Sequence, residues 1–272
     1  MDKLNRIFNK EKNIIIGALH FPPLLGYDDF PGFDTALNNA LYDLDSFTKG
    51  GADAVIFENN YDLPHKIKVS PSVVASLTYL GEKLKQASKI PLGISVLWND
   101  YETALSIAKI LGLQFVRLPV FVDKVKTDYG IIEGEPEAVV GFRKSIGAQE
   151  IALFADIHVK HAELLSDCSI EESAQKAIAA GADALIVTGK WTGDAPEVAD
   201  LYNLRSRIGE FPILIGSGLN KENIKGLFDY ANGAIVSTAV KTGKGQSHSI
   251  NIKSYTQRID PTKVRELISA LS

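Results

Sequence analysis

Short apolar runs alternate with longer amphipathic stretches along almost the whole chain. The runs fall at 14–20 (IIIGALH), 53–58 (DAVIFE), 92–98 (LGISVLW), 115–120 (FVRLPV), 151–158 (IALFADIH), 183–188 (DALIVT), 212–216 (PILIG) and 233–238 (GAIVST). Most are nearly continuous in Ile, Val and Leu, as strands buried on both faces of a parallel sheet must be. Between them, apolar residues recur at helical spacing over about 34–49, 72–88, 101–111, 136–147, 171–180, 196–208, 220–230 and 261–271. Asp34, Ser70 or Ser72, and Asn220 stand where side chains cap helix starts, and Pro136, Pro196 and Pro261 suit first turns. Gly50–Gly51, Gly112, Gly147 and Gly181 follow the helical stretches, where a left-handed residue closes a helix.

The phrase Gly-Ala-Asp-Ala precedes an apolar run twice, at Gly51–Ala54 and at Gly181–Ala184. Eight βα units of this kind predict an α/β fold: a single (β/α)8 TIM barrel over 1–272, with a phosphate-binding site after strands seven and eight. Residues 1–12 form an N-terminal extension, and 240–260 a long loop before the last helix. The irregular stretches 20–33, 59–71 and 121–135 follow strands, on the side where barrel enzymes keep their active-site loops.

Composition narrows the function classes. The 272 residues carry 29 Lys and Arg against 33 Asp and Glu, a net charge of −4. That excludes a general nucleic-acid or anionic-membrane surface, though not a local basic pocket. Cys168 stands alone, so no intramolecular disulfide forms and a reducing compartment fits. No leader is visible, and no apolar run reaches the roughly 18 residues of a membrane helix. A cytoplasmic protein without membrane insertion is expected, with a homo-oligomer as the common outcome for such chains.

The chemistry concentrates at strand ends. Strand seven runs into Gly216-Ser217-Gly218, and strand eight ends in Ser237-Thr238, followed by Lys241 and Thr242-Gly243-Lys244-Gly245. Glycines bring backbone N–H groups close to an anion, and a helix start adds partial positive charge. These loops are where many barrels hold a substrate phosphate. The glycines equally serve tight turns, and Lys241 either contacts the phosphate or is solvated. On strand five, alternation puts Asp156, His158 and Lys160 on one face at the barrel mouth, with His161 following. Such groups suit proton transfer or charge stabilisation, or else an Asp–Lys ion pair closing the barrel top. His20, Glu58, Asn59, Asn99, Thr188, Gly189, Thr192 and Gly193 lie at or just beyond other strand ends. Arg117, inside strand four, needs a buried partner, and Glu58 or Asp156 is available. Glu58, Asp156 and His158 offer a divalent metal a ligand set, without the sequence-local spacing of known metal motifs. Cys168 reads as structural.

Several segments together resemble the BtpA/SgcQ family of TIM-barrel proteins, from about residue 14 to 268. Ile16-Gly17-Ala18-Leu19-His20-Phe21-Pro22-Pro23-Leu24 resembles the family's opening, and Phe57-Glu58-Asn59 its second strand end. Thr127-Asp128-Tyr129-Gly130-Ile131-Ile132-Glu133-Gly134 is similar to its TDQGxIEG segment, and Ala155–Ala162 to its ADVHVKHA segment. Val187-Thr188-Gly189, Thr192-Gly193 and Gly216-Ser217-Gly218 resemble its later loops. The chain departs from the pattern at Trp98, usually arginine, at Leu118-Pro119, usually VN, and at Ser237, usually glycine. The family's names come from photosystem I accumulation and from a sugar-utilisation gene cluster, which are contexts rather than reactions. The residues and the resemblance imply an enzyme acting on a phosphorylated sugar or a nucleotide-derived ribose phosphate, by isomerase, lyase or glycosidic-bond chemistry. Glu58 and Asp156 would be its acid/base groups; His158, Lys160, Arg117 and His20 complete the catalytic candidates. The alternatives are a non-catalytic assembly or regulatory factor that binds a phosphate ligand, and a phosphoribosylanthranilate-isomerase-like enzyme. Against the latter, strand one ends in His20 where that enzyme usually has a cysteine.

Overall fold

A computed structural model describes residues 3–243 and 253–271. The strands are β1 (Ile14–His20), β2 (Ala54–Glu58), β3 (Leu92–Ser95), β4 (Phe115–Leu118), β5 (Lys124–Thr127), β6 (Gly130–Glu133), β7 (Ala152–Ile157), β8 (Glu163–Leu164), β9 (Ala184–Val187), β10 (Ile213–Ile215) and β11 (Gly233–Val236). The helices are α1 (Lys3–Phe8), α2 (Phe33–Gly50), α3 (Pro71–Ala87), α4 (Tyr101–Leu111), α5 (Pro136–Ser145), α6 (Ile170–Ala179), α7 (Val198–Ile208), α8 (Ile224–Phe228) and α9 (Pro261–Ser269). Each of the eight apolar runs supplies a strand of a closed barrel in the order β1-β2-β3-β4-β7-β9-β10-β11, in which all neighbours run parallel. Closure comes from β11 against β1, with Ile14 opposite Gly233 and Gly17 opposite Val236.

The strands read as continuous apolar runs because both faces are buried. Ile14, Ile16 and Ala18 point into the barrel with Ile56, Phe115 and Phe154. Ile15 and Leu19 point outward against the helices. Gly17 shares that outward face, where a Cβ would lie 2.4 Å from the Phe47 ring of α2, so a side chain there would push the helix off the sheet. The segment before β1 is more than an extension. Its helix α1 buries Leu4 and Phe8, one helical turn apart, in the lower barrel. There the Phe8 ring lies 6.1 Å from that of Phe115, which stacks on Phe154 at 4.7 Å.

Several local expectations need correction. Residues 121–135 are not irregular: β5 and β6 form a hairpin, and β8 pairs with its other edge. Lys124 and Lys126 face solvent while Val125 and Thr127 are buried, the period-two pattern of a half-buried strand. The 220–230 helix shrinks to α8, because the Asn220 side chain accepts the Glu222 and Asn223 N–H groups in a turn, at 3.0 Å each. Gly32, not Asp34, occupies the α2 cap position, and Pro196 precedes α7 rather than opening it. Lys244 and Gly245, part of the expected glycine-rich stretch, lie outside the described residues. The neck of that loop is held by a Lys241–Ile259 bridge and a 2.8 Å bond from Thr242 N to Arg258 O.

Candidate functional site

Inward parity carries straight into the site. On β1 the inward set Ile14, Ile16, Ala18 continues to His20; on β2, Ala54 and Ile56 continue to Glu58. On β4 and β7 the same step leads from Phe115 to Arg117 and from Phe154 to Asp156. Four polar side chains therefore cover the apolar barrel interior at its C-terminal end. Arg117 grips Asp156 through two bonds, Nε–Oδ1 at 2.9 Å and Nη2–Oδ2 at 2.8 Å, and reaches Glu58 Oε1 through Nη1 at 3.2 Å. Exposures of 7%, 1% and 3% for Arg117, Asp156 and Glu58 mean that each charge depends on the others for its neutralisation. The two carboxylates raise the Arg117 pKa despite burial, so it stays a cation throughout the physiological range. His20 Nε2 lies 3.7 Å from Glu58 Oε2. Burial, and then the charges of Lys241, Lys160 and Arg117, hold the His20 pKa well below its ordinary value, so the imidazole is neutral at pH 7.

The end of β7 departs from simple alternation. The strand stops at Ile157, and His158 turns to a φ of 48°. His158 therefore does not join Asp156 at the mouth: its Nε2 is buried without a partner among the described residues, outside the cavity lining. The ligand set Glu58, Asp156 and His158 is not assembled, since Arg117 occupies both carboxylates. Among the described residues, no three His, Cys, Asp or Glu side chains are grouped to hold a metal ion. Lys160 does enter the cavity, anchored by its backbone N–H on Thr188 Oγ1 at 3.0 Å. Its Nζ makes neither a hydrogen bond nor an ion pair among the described residues. Burial, and then the neighbouring Arg117 charge, lower its pKa to about 8. His161 also lines the cavity; its Nε2 meets Thr192 Oγ1 at 2.7 Å, and burial takes its pKa down to about 4.

A cavity of about 220 Å³ opens above the Arg117 cluster, and the loops after β10 and β11 form its other wall. Gly216, Ser217, Gly218, Ser237, Thr238 and Lys241 all line it. The backbone N–H groups of Gly218, Thr238 and Ala239 have no acceptor among the described residues, and Ser237 Oγ is buried without a partner. Ser217 differs. Its hydroxyl accepts from Gly189 N at 2.9 Å and donates to Asp194 O at 2.7 Å, so it ties two loops together. Gly218 has a φ of 69° and a backbone so close to that loop that a Cβ would sit 2.0 Å from Ala195 N; no other residue fits there. Lys241 donates to the Tyr61 hydroxyl at 3.3 Å and lies over that ring, and burial lowers its pKa to about 8. Burial also raises the Tyr61 pKa, and the Tyr61 hydroxyl donates to Lys253 O. The cavity thus combines Arg117, Lys160, Lys241 and Lys253 with Glu58, an excess of positive charge in an acidic protein.

The BtpA family model matches residues 11–272. The photosystem I biogenesis protein BtpA of Synechocystis sp. is 34% identical over 263 residues, which cover 96% of this chain and 88% of that protein. The chain belongs to the BtpA family. A Pyrococcus horikoshii protein is 35% identical over 259 residues, covering 94% of this chain and 96% of that one. Among solved structures, the tryptophan synthase alpha chain of Legionella pneumophila superposes with a TM-score of 0.60 at 14% identity, covering 100% of this chain and 97% of that one. At that identity the likeness shows the shared barrel alone. No helix among the described residues is long and apolar enough to cross a membrane.

In this BtpA-family barrel the other strand-end candidates divide by role. Thr192 and Gly193 line the cavity. Asn59, Asn99, Thr188 and Gly189 do not, and all four have structural hydrogen-bond partners, Gly189 through its N–H on Ser217 Oγ. Asn59 holds Leu97 through both its carbonyl oxygen and its amide, with Leu97 N at 2.7 Å and Leu97 O at 3.1 Å. Asn99, at a φ of 74°, accepts from Val120 N at 2.8 Å, and Thr188 supports Lys160. Asn60, Tyr61, His65 and Lys253 also belong to the cavity, though the strand-end pattern does not single them out. Asn60 was reachable by continuing the period from Glu58; Tyr61, His65 and Lys253 carry no local signal.

Proposed function

We propose that this barrel is an enzyme acting on a small phosphorylated ligand, a sugar phosphate or a nucleotide-derived ribose phosphate. The observation that carries this reading is that two sets of groups share one cavity. One set comprises the amide groups of Gly218, Thr238 and Ala239, Ser237 Oγ and Lys241, which among the described residues have no hydrogen-bond acceptor or, for Lys241, no carboxylate within ion-pair distance. A phosphate oxygen is the ligand atom that satisfies all of them. The other set is Glu58, fixed by Arg117, with neutral His20 and the unpaired Lys160 beside it. A buried ionised cluster stabilises a fold less than apolar packing of the same volume would, so its retention at the barrel mouth favours chemistry over scaffolding. Glu58 and His20 would exchange protons with the ligand, Arg117 and Asp156 would position Glu58, and the loops after β10 and β11 would hold the phosphate. A reducing cytoplasm suits the lone Cys168, and we expect a homo-oligomer that takes neither nucleic acid nor membrane as partner.

Thermal denaturation with a ligand panel tests the reading. A phosphorylated ligand at 100 times its dissociation constant adds about 2.7 kcal/mol of stability. We expect that gain with phosphorylated sugars, none with the same sugars unphosphorylated, and its loss in Ser237→Asp, which puts an anion among the donors. A gain that ignores the phosphate, or one kept by the variant, refutes the site. Stabilisation without turnover of any stabilising compound moves a ligand-sensing assembly factor to the front.

A further inference from the structure

Among the described residues, the hydrogen bonds at the barrel mouth leave one cation without a direct partner. Arg117 uses Nε, Nη1 and Nη2 on Asp156 and Glu58, and so takes the carboxylates that a neighbouring lysine would otherwise pair with. Lys160 sits in the same cavity, held at its backbone by Thr188, and its Nζ has no ion-pair partner within 4.0 Å among the described residues. A lysine with only a structural role is normally solvated or paired. One withdrawn from bulk water beside a fixed guanidinium is pushed toward its neutral form, which is the nucleophile, here against the opposing pull of Glu58 and Asp156. Its lowered pKa agrees with that geometry.

We propose that Lys160 forms a covalent imine with the carbonyl carbon of a phosphorylated aldose or ketose bound in this cavity. The proposal rests on the phosphate reading above and names its substrate class. The Nζ lone pair attacks the carbonyl carbon and the C=O π pair moves onto oxygen, giving a carbinolamine. Two of the three ammonium protons end on that oxygen, carried by Glu58 and His20, and it departs as water. The C=N bond forms as C–O breaks, and the single positive charge of the ammonium remains on the iminium. The iminium withdraws electrons from the adjacent carbon, which eases loss of a proton or cleavage of the next C–C bond. These are the steps of an isomerase or a lyase.

The test is borohydride trapping of the full-length protein with glyceraldehyde 3-phosphate, dihydroxyacetone phosphate, ribose 5-phosphate or fructose 6-phosphate, read by intact mass and peptide mapping. Glycerol 3-phosphate, which has the phosphate and no carbonyl, serves as the binding control. The expected result is a stoichiometric adduct on Lys160 with at least one of the four, of the ligand mass less one oxygen atom. It should be absent from Lys160→Arg and Lys160→Met, both of which should still be stabilised by glycerol 3-phosphate. No adduct with any of the four overturns the imine; if glycerol 3-phosphate still stabilises the protein, the phosphate reading survives that failure. An adduct that persists in the variants, or maps to other lysines, also overturns it. Failure of all five compounds to stabilise the protein overturns the phosphate reading itself.

Discussion

Replacing Lys160 by Met removes a charge that the fold holds against its own preference. Burial, and then the neighbouring Arg117 charge, take the amine from 10.5 to about 8. Each pKa unit is worth about 1.4 kcal/mol, so the full shift corresponds to a penalty of about 3.5 kcal/mol on the charged form. Lys160 is half-buried and its cavity opens to solvent, so screening reduces this to about 1–2 kcal/mol. The sign follows from proton binding. Between pH 8 and 10.5 the unfolded chain holds the Lys160 proton more tightly than the folded one. Wild-type stability therefore gains from rising pH across that window. The penalty is complete below pH 8 and gone above 10.5. Met keeps the length and apolar body of the side chain. Lys160→Met should be more stable than wild type by about 1–2 kcal/mol at pH 7, or about 2–8 °C in Tm for a chain of this size. The advantage should shrink steadily toward pH 10. Urea denaturation of both proteins at each pH, from 7 to about 10, makes the comparison, because other titrations cancel between them. A variant no more stable than wild type at pH 7, or a gain that ignores pH, refutes the claim that the site strains this lysine.

The structural frame gives two further expectations. Arg117→Met leaves Asp156 and Glu58 buried without their counter-ion and should cost about 3–5 kcal/mol in urea denaturation. Arg117→Lys should recover little of it, since an ammonium cannot reproduce the bonds to both carboxylates; full recovery would mean that the charge alone matters. Phe8→Ala opens the aromatic cluster that closes the lower barrel and should cost about 3–5 kcal/mol. Affinity for a phosphorylated ligand should be unchanged, because the cavity lies at the other end; weaker binding would show that the plug sets the shape of the mouth.

How far the sequence can be read differs from residue to residue, and the reason is the range of the interaction involved. Parity along a strand is local. It places His20, Glu58, Arg117 and Asp156 in one layer as long as the backbone stays extended, and all four occupy that layer. It fails at His158, one residue past the end of β7, because a φ of 48° breaks the alternation on which the inference depends. Which group uses up a hydrogen-bond partner is not local. Ser217 has the residue type and position of a phosphate ligand, yet its hydroxyl is spent on Gly189 and Asp194. Ser237, equally plausible from sequence, keeps its Oγ without a partner among the described residues. Asn59 and Asn99 are spent on backbone in the same way. Arg117 shows the consequence most fully. A buried arginine needs a carboxylate, and the sequence offers two candidates; the fold commits both to the one guanidinium. An Asp156–Lys160 ion pair, the ordinary structural reading of that strand end, then has no free acid left to form it. Lys160 is left without a direct acid partner among the described residues because of what Arg117 has taken, a competition among β2, β4 and β7 that no single segment of the chain records.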